Sequence, residues 1–169
     1  MKFILRSAIS AAAFSLLAVT ASAVSIKPTS YSYTPGTVVS VGTYLYPDSV
    51  PGELTDGKYG VNRISNQAEA DPWIGWLTDK VEIDFVFDQA YTFDSVTANV
   101  LQLWLKNIVV PDFTLLASNN GTDWTEVGKK TTTESSANDY KTHALTLDGF
   151  EVTAQYLRVS LTPNAAGPW

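Results

Sequence analysis

An alternation of period two, returning along the chain with no helical period to compete, limits its fold more than any other feature. Between Lys80 and Phe87 the apolar residues Val81, Ile83, Phe85 and Phe87 share one parity, while Glu82 and Asp84 take the other. Successive side chains of a strand point to opposite faces, so this pattern makes a strand with one dry face and one wet face. Tyr91 to Leu105 is a longer β-prone stretch in which Val96, Ala98 and Val100 alternate. The parity then shifts to Leu101, Leu103 and Leu105, as a bulge or bend produces. Phe113, Leu115 and Ala117 alternate next, and Trp124 to Val127 resumes the pattern beyond Ser118-Asn119-Asn120-Gly121. An Asn-Gly step between two apolar strands signals a hairpin, because both residues tolerate positive φ. Tyr140 to Leu147 and Gln155 to Leu161 supply two more strands, and in the second Leu157, Val159 and Leu161 share a face. Pro35-Gly36, Pro51-Gly52, Asp56-Gly57 and Asp148-Gly149 punctuate the chain, and Gly57 to Trp76 and Thr131 to Asp139 read as long loops. No segment after Ala23 keeps the i, i+3, i+4, i+7 spacing of a helix over three turns. The expectation is one all-β domain, an antiparallel sandwich or barrel.

The first residues stand apart. Lys2 and Arg6 precede the apolar run Ala8 to Val19, and Ala21-Ser22-Ala23 offers the small residues a signal peptidase requires. Residues 1–23 are thus expected to be a signal peptide, with an uncleaved N-terminal anchor as the alternative, and 24–169 the mature domain. Cleavage removes 23 of 169 residues and leaves 146; it takes two basic residues and moves the formal charge from −6 to −8. The product is expected to be secreted, periplasmic or held at a cell surface, as a bacterial exported protein would be. Zero Cys excludes disulfides, thiolate metal sites and cysteine nucleophiles, and a single His excludes a poly-histidine centre. The acidic balance argues against nucleic acid, which needs clustered Lys and Arg, and against an anionic membrane.

A specific resemblance begins at Tyr46-Pro47-Asp48 and Glu53-Leu54-Thr55-Asp56-Gly57. Trp73-Ile74-Gly75-Trp76 follows, ahead of Val81-Glu82-Ile83-Asp84-Phe85. Then come Pro111-Asp112-Phe113, Ser118-Asn119-Asn120-Gly121-Thr122-Asp123-Trp124 and Tyr156-Leu157-Arg158-Val159. This ordered set, over roughly residues 44–161, resembles the discoidin-like domains: the coagulation factor type C modules and the galactose-binding-like carbohydrate-binding modules. The resemblance implies a jelly-roll antiparallel β-sandwich of eight strands. Such domains continue into a last strand that often carries a Glu, whereas this sequence stops at Trp169; a sandwich lacking its last strand and a natural end with Trp169 folded back as a lid both remain open.

The resemblance also implies a structural calcium ion. Asp56 would bind it with its carboxylate, and Glu53 and Lys58 with their carbonyls; Val61 stands where a hydroxyl residue would add a ligand. A hard cation taking 6–8 oxygens suits a loop of this kind, while the plain alternative is an Asx turn built by Asp56. For a sugar, Trp73 and Trp76 offer stacking faces, and Arg63, Asn66 and His143 offer polar groups for hydroxyls; the alternative for both Trp residues is the core, and for His143 an ordinary packed position. Trp104 and Trp124 fall in strand patterns and read as structural. No G-x-S-x-G elbow, phosphate-cradling Gly loop or H-E-x-x-H is present, so no enzyme is expected. The leading expectation is an exported carbohydrate-binding module that recognises a glycan or polysaccharide through loops at one rim, with a catalytic domain attached in a longer protein as a conceivable partner. The alternative is an exported adhesion or matrix protein using the same fold against a protein or lipid surface, for which Lys106 to Val110 would supply an apolar loop tip.

Overall fold

A computed structural model describes residues 2–7, 24–34, 40–41, 44–48, 52–60, 64, 66–70, 72–76, 78, 80–102, 110–132 and 141–162. In chain order the strands are β1 (Lys2–Ser7), β2 (Val24–Ser25), β3 (Ser30–Thr34), β4 (Ser40–Val41), β5 (Tyr44–Leu45), β6 (Val81–Gln102), β7 (Asp112–Ser118), β8 (Thr125–Lys130) and β9 (Lys141–Thr162). A 3-10 turn at Glu53–Thr55 and a short helix, α1 (Gln67–Ala70), lie between β5 and β6. The main sheet has seven strands in the order β2-β1-β6-β9-β7-β8, with β3 also paired to β6; β4 and β5 form a separate pair. Every pairing is antiparallel.

The frame is a ribbon of two long strands. β6 and β9 run side by side from Val81↔Leu161 to Gln102↔Lys141. A straight strand of 22 residues would reach about 70 Å, well beyond a domain of this size. The ribbon therefore bends, and register shifts between Val86 and Tyr91 and between Phe93 and Ser95 mark where. Asp88, Gln89 and Ala90 are exposed at the outside of the bend. On its inside the rings of Phe87 and Phe93 lie 5.0 Å apart. One arm (Val81–Phe87 with Gln155–Leu161) is flanked by β3 and by the β7–β8 hairpin; the other is flanked by β1. A single buried cluster joins both arms: Ile83, Phe85, Phe113, Leu115 and Leu157 from the first, Val96, Ala98, Val100 and Leu145 from the second. This is the expected β-sandwich, made by folding one ribbon over its own apolar face.

Two details differ from the sequence expectation. Asp148-Gly149 does not separate two strands, since β9 is continuous. Gly149 instead takes φ +77° opposite the second register shift, so the residue that tolerates a left-handed backbone builds a bulge and not a turn. The Asn120-Gly121 hairpin does form, but its last strand pair is Ala117↔Thr125, and the tip is the wider loop Ser118–Trp124. Ser118 Oγ accepts from the Asn120 and Gly121 amides at 3.2 and 3.0 Å, and Asn120 Oδ1 from those of Thr122 and Asp123 at 3.0 and 2.9 Å. Side-chain oxygens thus stand in for the tight two-residue turn.

Arg158 ties the outer face of the first arm together. Its guanidinium donates to both carboxylate oxygens of Asp84, its Cα partner, and Nη1 lies 3.4 Å from Glu82 Oε2. The Trp124 ring covers the group, with Cζ 4.3 Å from the ring centre. The hydrogen bonds to Asp84 raise the Arg158 pKa. Trp124 thus has the structural place the strand pattern gave it.

Candidate functional site

Among the described residues from Tyr44 to Trp76, regular structure is limited to β5, the 3-10 turn and α1, and side-chain clasps hold the rest. Tyr31, on β3, donates its hydroxyl to Asp48 at 2.9 Å and accepts from the amides of Gly52 (3.1 Å) and Leu54 (3.4 Å). One phenol therefore fixes the loop on both sides of Pro51. Burial, opposed by the Leu54 amide and reinforced by Asp48, pushes the Tyr31 hydroxyl far above the ordinary tyrosine pKa. Tyr33 is raised as well, by burial first and then by the Asp48 charge. Gln67, at the start of α1, grips Leu45 with both ends of its amide: Oε1 accepts from the Leu45 N–H at 3.0 Å, and Nε2 donates to its carbonyl at 2.8 Å. The Gly75 amide donates to the Tyr46 carbonyl at 3.1 Å.

These clasps close a small second core of Tyr46, Ile64, Ala70, Trp73 and Leu101. Leu101 belongs to the end of β6, so the clasped segment is anchored to one end of the ribbon. Gly60 lies against the Trp73 indole, where a Cβ would overlap Nε1. The loop of Asp56 and the plug of Trp73 are therefore parts of one rim.

The expected ligand-binding residues separate on this frame. Trp73 is only 4% exposed and its ring is packed in the second core. A ring without a free face cannot stack on a sugar, so the core alternative describes Trp73 and the stacking one does not. Trp76 is half-buried, packs against the main core and meets Tyr33 edge to face, with ring centres 5.3 Å apart. Neither indole N–H finds an acceptor among the described residues. Asn66 is exposed, and its Oδ1 accepts the Glu69 amide at 3.1 Å, the position of a helix cap. His143 is half-buried opposite Val100, and its Nε2 lies 2.9 Å from Oε1 of the buried Gln102. The residue pair beside it, Leu101↔Thr142, leads into the second core. Arg63, Val61, Trp104, Trp169 and the loop 103–109 lie outside the described residues.

At the expected calcium loop, Gly52 and Gly57 take φ of +100° and +78° on either side of Glu53–Asp56. Glu53 is 8% exposed, whereas Asp56 and Lys58 are exposed. Asp56 Oδ1 accepts the Lys58 amide at 2.9 Å, the Asx turn of the plain alternative, and Oδ2 lies 3.9 Å from Lys58 Nζ. The donor types fit a hard cation, with one buried and one partly exposed carboxylate on a sharply turned backbone. The Lys58 ammonium already faces Asp56, so a cation would have to turn this flexible side chain away.

Sequence reasoning missed Tyr59. At 49% exposure it is an exposed aromatic side chain. No local signal separated it from Trp73, since both are aromatic residues of one loop outside any alternating pattern.

A family model, that of the F5/8 type C domain, matches residues 46–169. No curated protein matches. Among solved structures the chain is similar to CpGH89CBM32-5 from Clostridium perfringens, in complex with GalNAc-beta-1,3-galactose; the identity is 14%, the TM-score 0.39, and the match covers 52% of this chain and 58% of that one. It is similar to a pectin-binding carbohydrate-binding module at 18% identity and TM-score 0.35, covering 55% and 62%. A third, CBM32-3 from a family 31 glycoside hydrolase of Clostridium perfringens, has 21% identity and TM-score 0.33, covering 52% and 58%. The chain spans about three fifths of the length of these structures.

Proposed function

The chain belongs to the F5/8 type C domain family, and from that premise we propose that it is an exported, non-catalytic glycan-binding module. The observation that carries this reading is Tyr59, an exposed ring on a loop whose neighbour Gly60 is seated on a buried Trp. A ring held on a rigid base stacks on the C–H face of a pyranose without first being ordered, which keeps the entropic cost of binding low. In this reading Arg63 and Asn66, on the same loop, read the hydroxyls, and His143 and Trp76 support the rim from behind. A shallow site of this kind binds weakly, on the order of 0.1–1 mM. The non-catalytic reading is supported by the way the acids are used: Glu82 and Asp84 hold Arg158, while Asp48 holds Tyr31. A catalytic domain joined to this one in a longer protein would gain local substrate concentration from it.

Calcium belongs to the same proposal. Asp56 would bind it through its carboxylate, and Glu53 and Lys58 through their carbonyls, and the ion would pin the rim on which Tyr59 stands. Adding calcium to chelator-treated protein should raise the melting temperature of wild type but not of Asp56→Ala; equal responses would remove the ion from the account.

A glycan array probed with wild type and Tyr59→Ala tests the main reading. Wild type should mark a restricted set of glycans that the variant loses. Binding to no glycan at high protein concentration would leave adhesion to a protein or lipid surface as the better reading.

A further inference from the structure

We infer that Ser95–Asn99 of β6 is an edge uncovered when residues 1–23 are removed, and that it then pairs with the same edge of a second copy of the mature chain. In the structure this edge is covered by β1, from Arg6↔Ser95 to Lys2↔Asn99. β1 lies wholly within the segment expected to be a leader, so the inference rests on that reading. Cleavage takes the covering strand from beside Val96 and Ala98, both 0% exposed and part of the main core.

Two of the other borders of the sheet carry protection against pairing. β8 holds Glu126, Lys129 and Lys130, and β3 is bracketed by Pro28 and Pro35. Charge and proline are the usual means of keeping a strand edge single. Ser95-Val96-Thr97-Ala98-Asn99 has no charge, no Pro and no Gly. An edge without those devices is built to be covered.

A second copy fits this edge. Antiparallel pairing about a two-fold axis at Thr97 sets Thr97 against Thr97, Val96 against Ala98 and Ser95 against Asn99. Small apolar residues meet on the core face, polar residues meet on the outer face, and no like charges oppose one another. Before cleavage the leader strand fills the same place, which confines dimer formation to the exported chain.

The test expresses the full chain with export, isolates the product and reads its N-terminus by mass spectrometry. The chain has no Cys, so Thr97→Cys is a clean probe. At the two-fold axis the two Cα atoms would lie about 4.5–5.5 Å apart, within the reach of a disulfide. The exported wild type should sediment as a dimer and Thr97→Cys should oxidise to a covalent dimer. Glu151→Cys, at an exposed position of β9, should stay uncrosslinked under the same conditions. The chain purified from cytoplasm with its leader should be monomeric. An exported product that still begins at Met1 overturns the leader reading and the inference with it. A product beginning at Val24 that sediments as a monomer overturns the inference alone, and so does a Thr97→Cys dimer whose introduced thiols fail to join.

Discussion

The ribbon and the clasped segment hold their shapes by different means. The ribbon buries an apolar face along 22 residues of each strand, so its order is spread over many equivalent contacts. The described residues of the segment Tyr44–Trp76 are held by particular bonds, among them one phenol, one amide side chain, and one glycine beneath one indole. A fold held by many weak contacts can be read from pattern and tolerates local change. One held by few specific contacts has neither property, yet it is the arrangement that can present a loop to a ligand.

The first break in this comparison belongs to the ribbon. Phe85 is 0% exposed at the centre of the main core, and Phe85→Ala should cost about 3–5 kcal/mol. Urea unfolding would show both regions losing structure together, since the clasped segment has no core of its own large enough to persist. Gly60→Ala comes next. Its Cβ would overlap the Trp73 ring, and moving that ring out of its small core should cost about 1–3 kcal/mol. Tryptophan fluorescence should shift while the far-ultraviolet strand signal stays.

Tyr31→Phe sharpens the comparison further. It leaves Asp48 and the Gly52 and Leu54 amides without their shared partner and should cost about 1–2 kcal/mol. It also carries a pH signature. The Tyr31 pKa is raised by burial, so the folded protein holds this proton more tightly than the unfolded chain. Its stabilising contribution is then complete below about pH 10, the unfolded tyrosine value, and drains as the pH rises above it. Wild type should lose stability more steeply than Tyr31→Phe above that pH in denaturant titrations, with Tyr33 leaving a residual slope in the variant. The smallest effect is expected at Arg158→Lys. The planar contact with Asp84 and Trp124 is lost but the charge remains, and partly exposed pairs of this kind are worth about 1 kcal/mol or less.

What the sequence disclosed follows the same division. Val81, Ile83, Phe85 and Phe87 are all buried as their alternation requires, because a periodic pattern states burial directly. The ordered motifs from Tyr46 to Val159 disclosed the family, since each marks a turn or strand the fold must make. The bend of the ribbon was not legible, since its register shifts lie between Val86 and Ser95; the parity shift read after Val100 runs into Leu103 and Leu105, outside the described residues. Trp73 and Tyr59 could not be told apart by residue type, as both are aromatic residues in one loop. Which of them is buried depends on Gly60 coming to rest on Trp73, a contact between positions that no local pattern links.

The most direct measurement is isothermal titration of a glycan selected on the array into wild type and into Tyr59→Ala, with circular dichroism as the control for folding. Wild type should bind with a dissociation constant on the order of 0.1–1 mM, and the variant should show at least a roughly tenfold loss, about 1.4 kcal/mol. Equal affinity in two equally folded proteins would contradict the proposal and move the binding surface away from this loop.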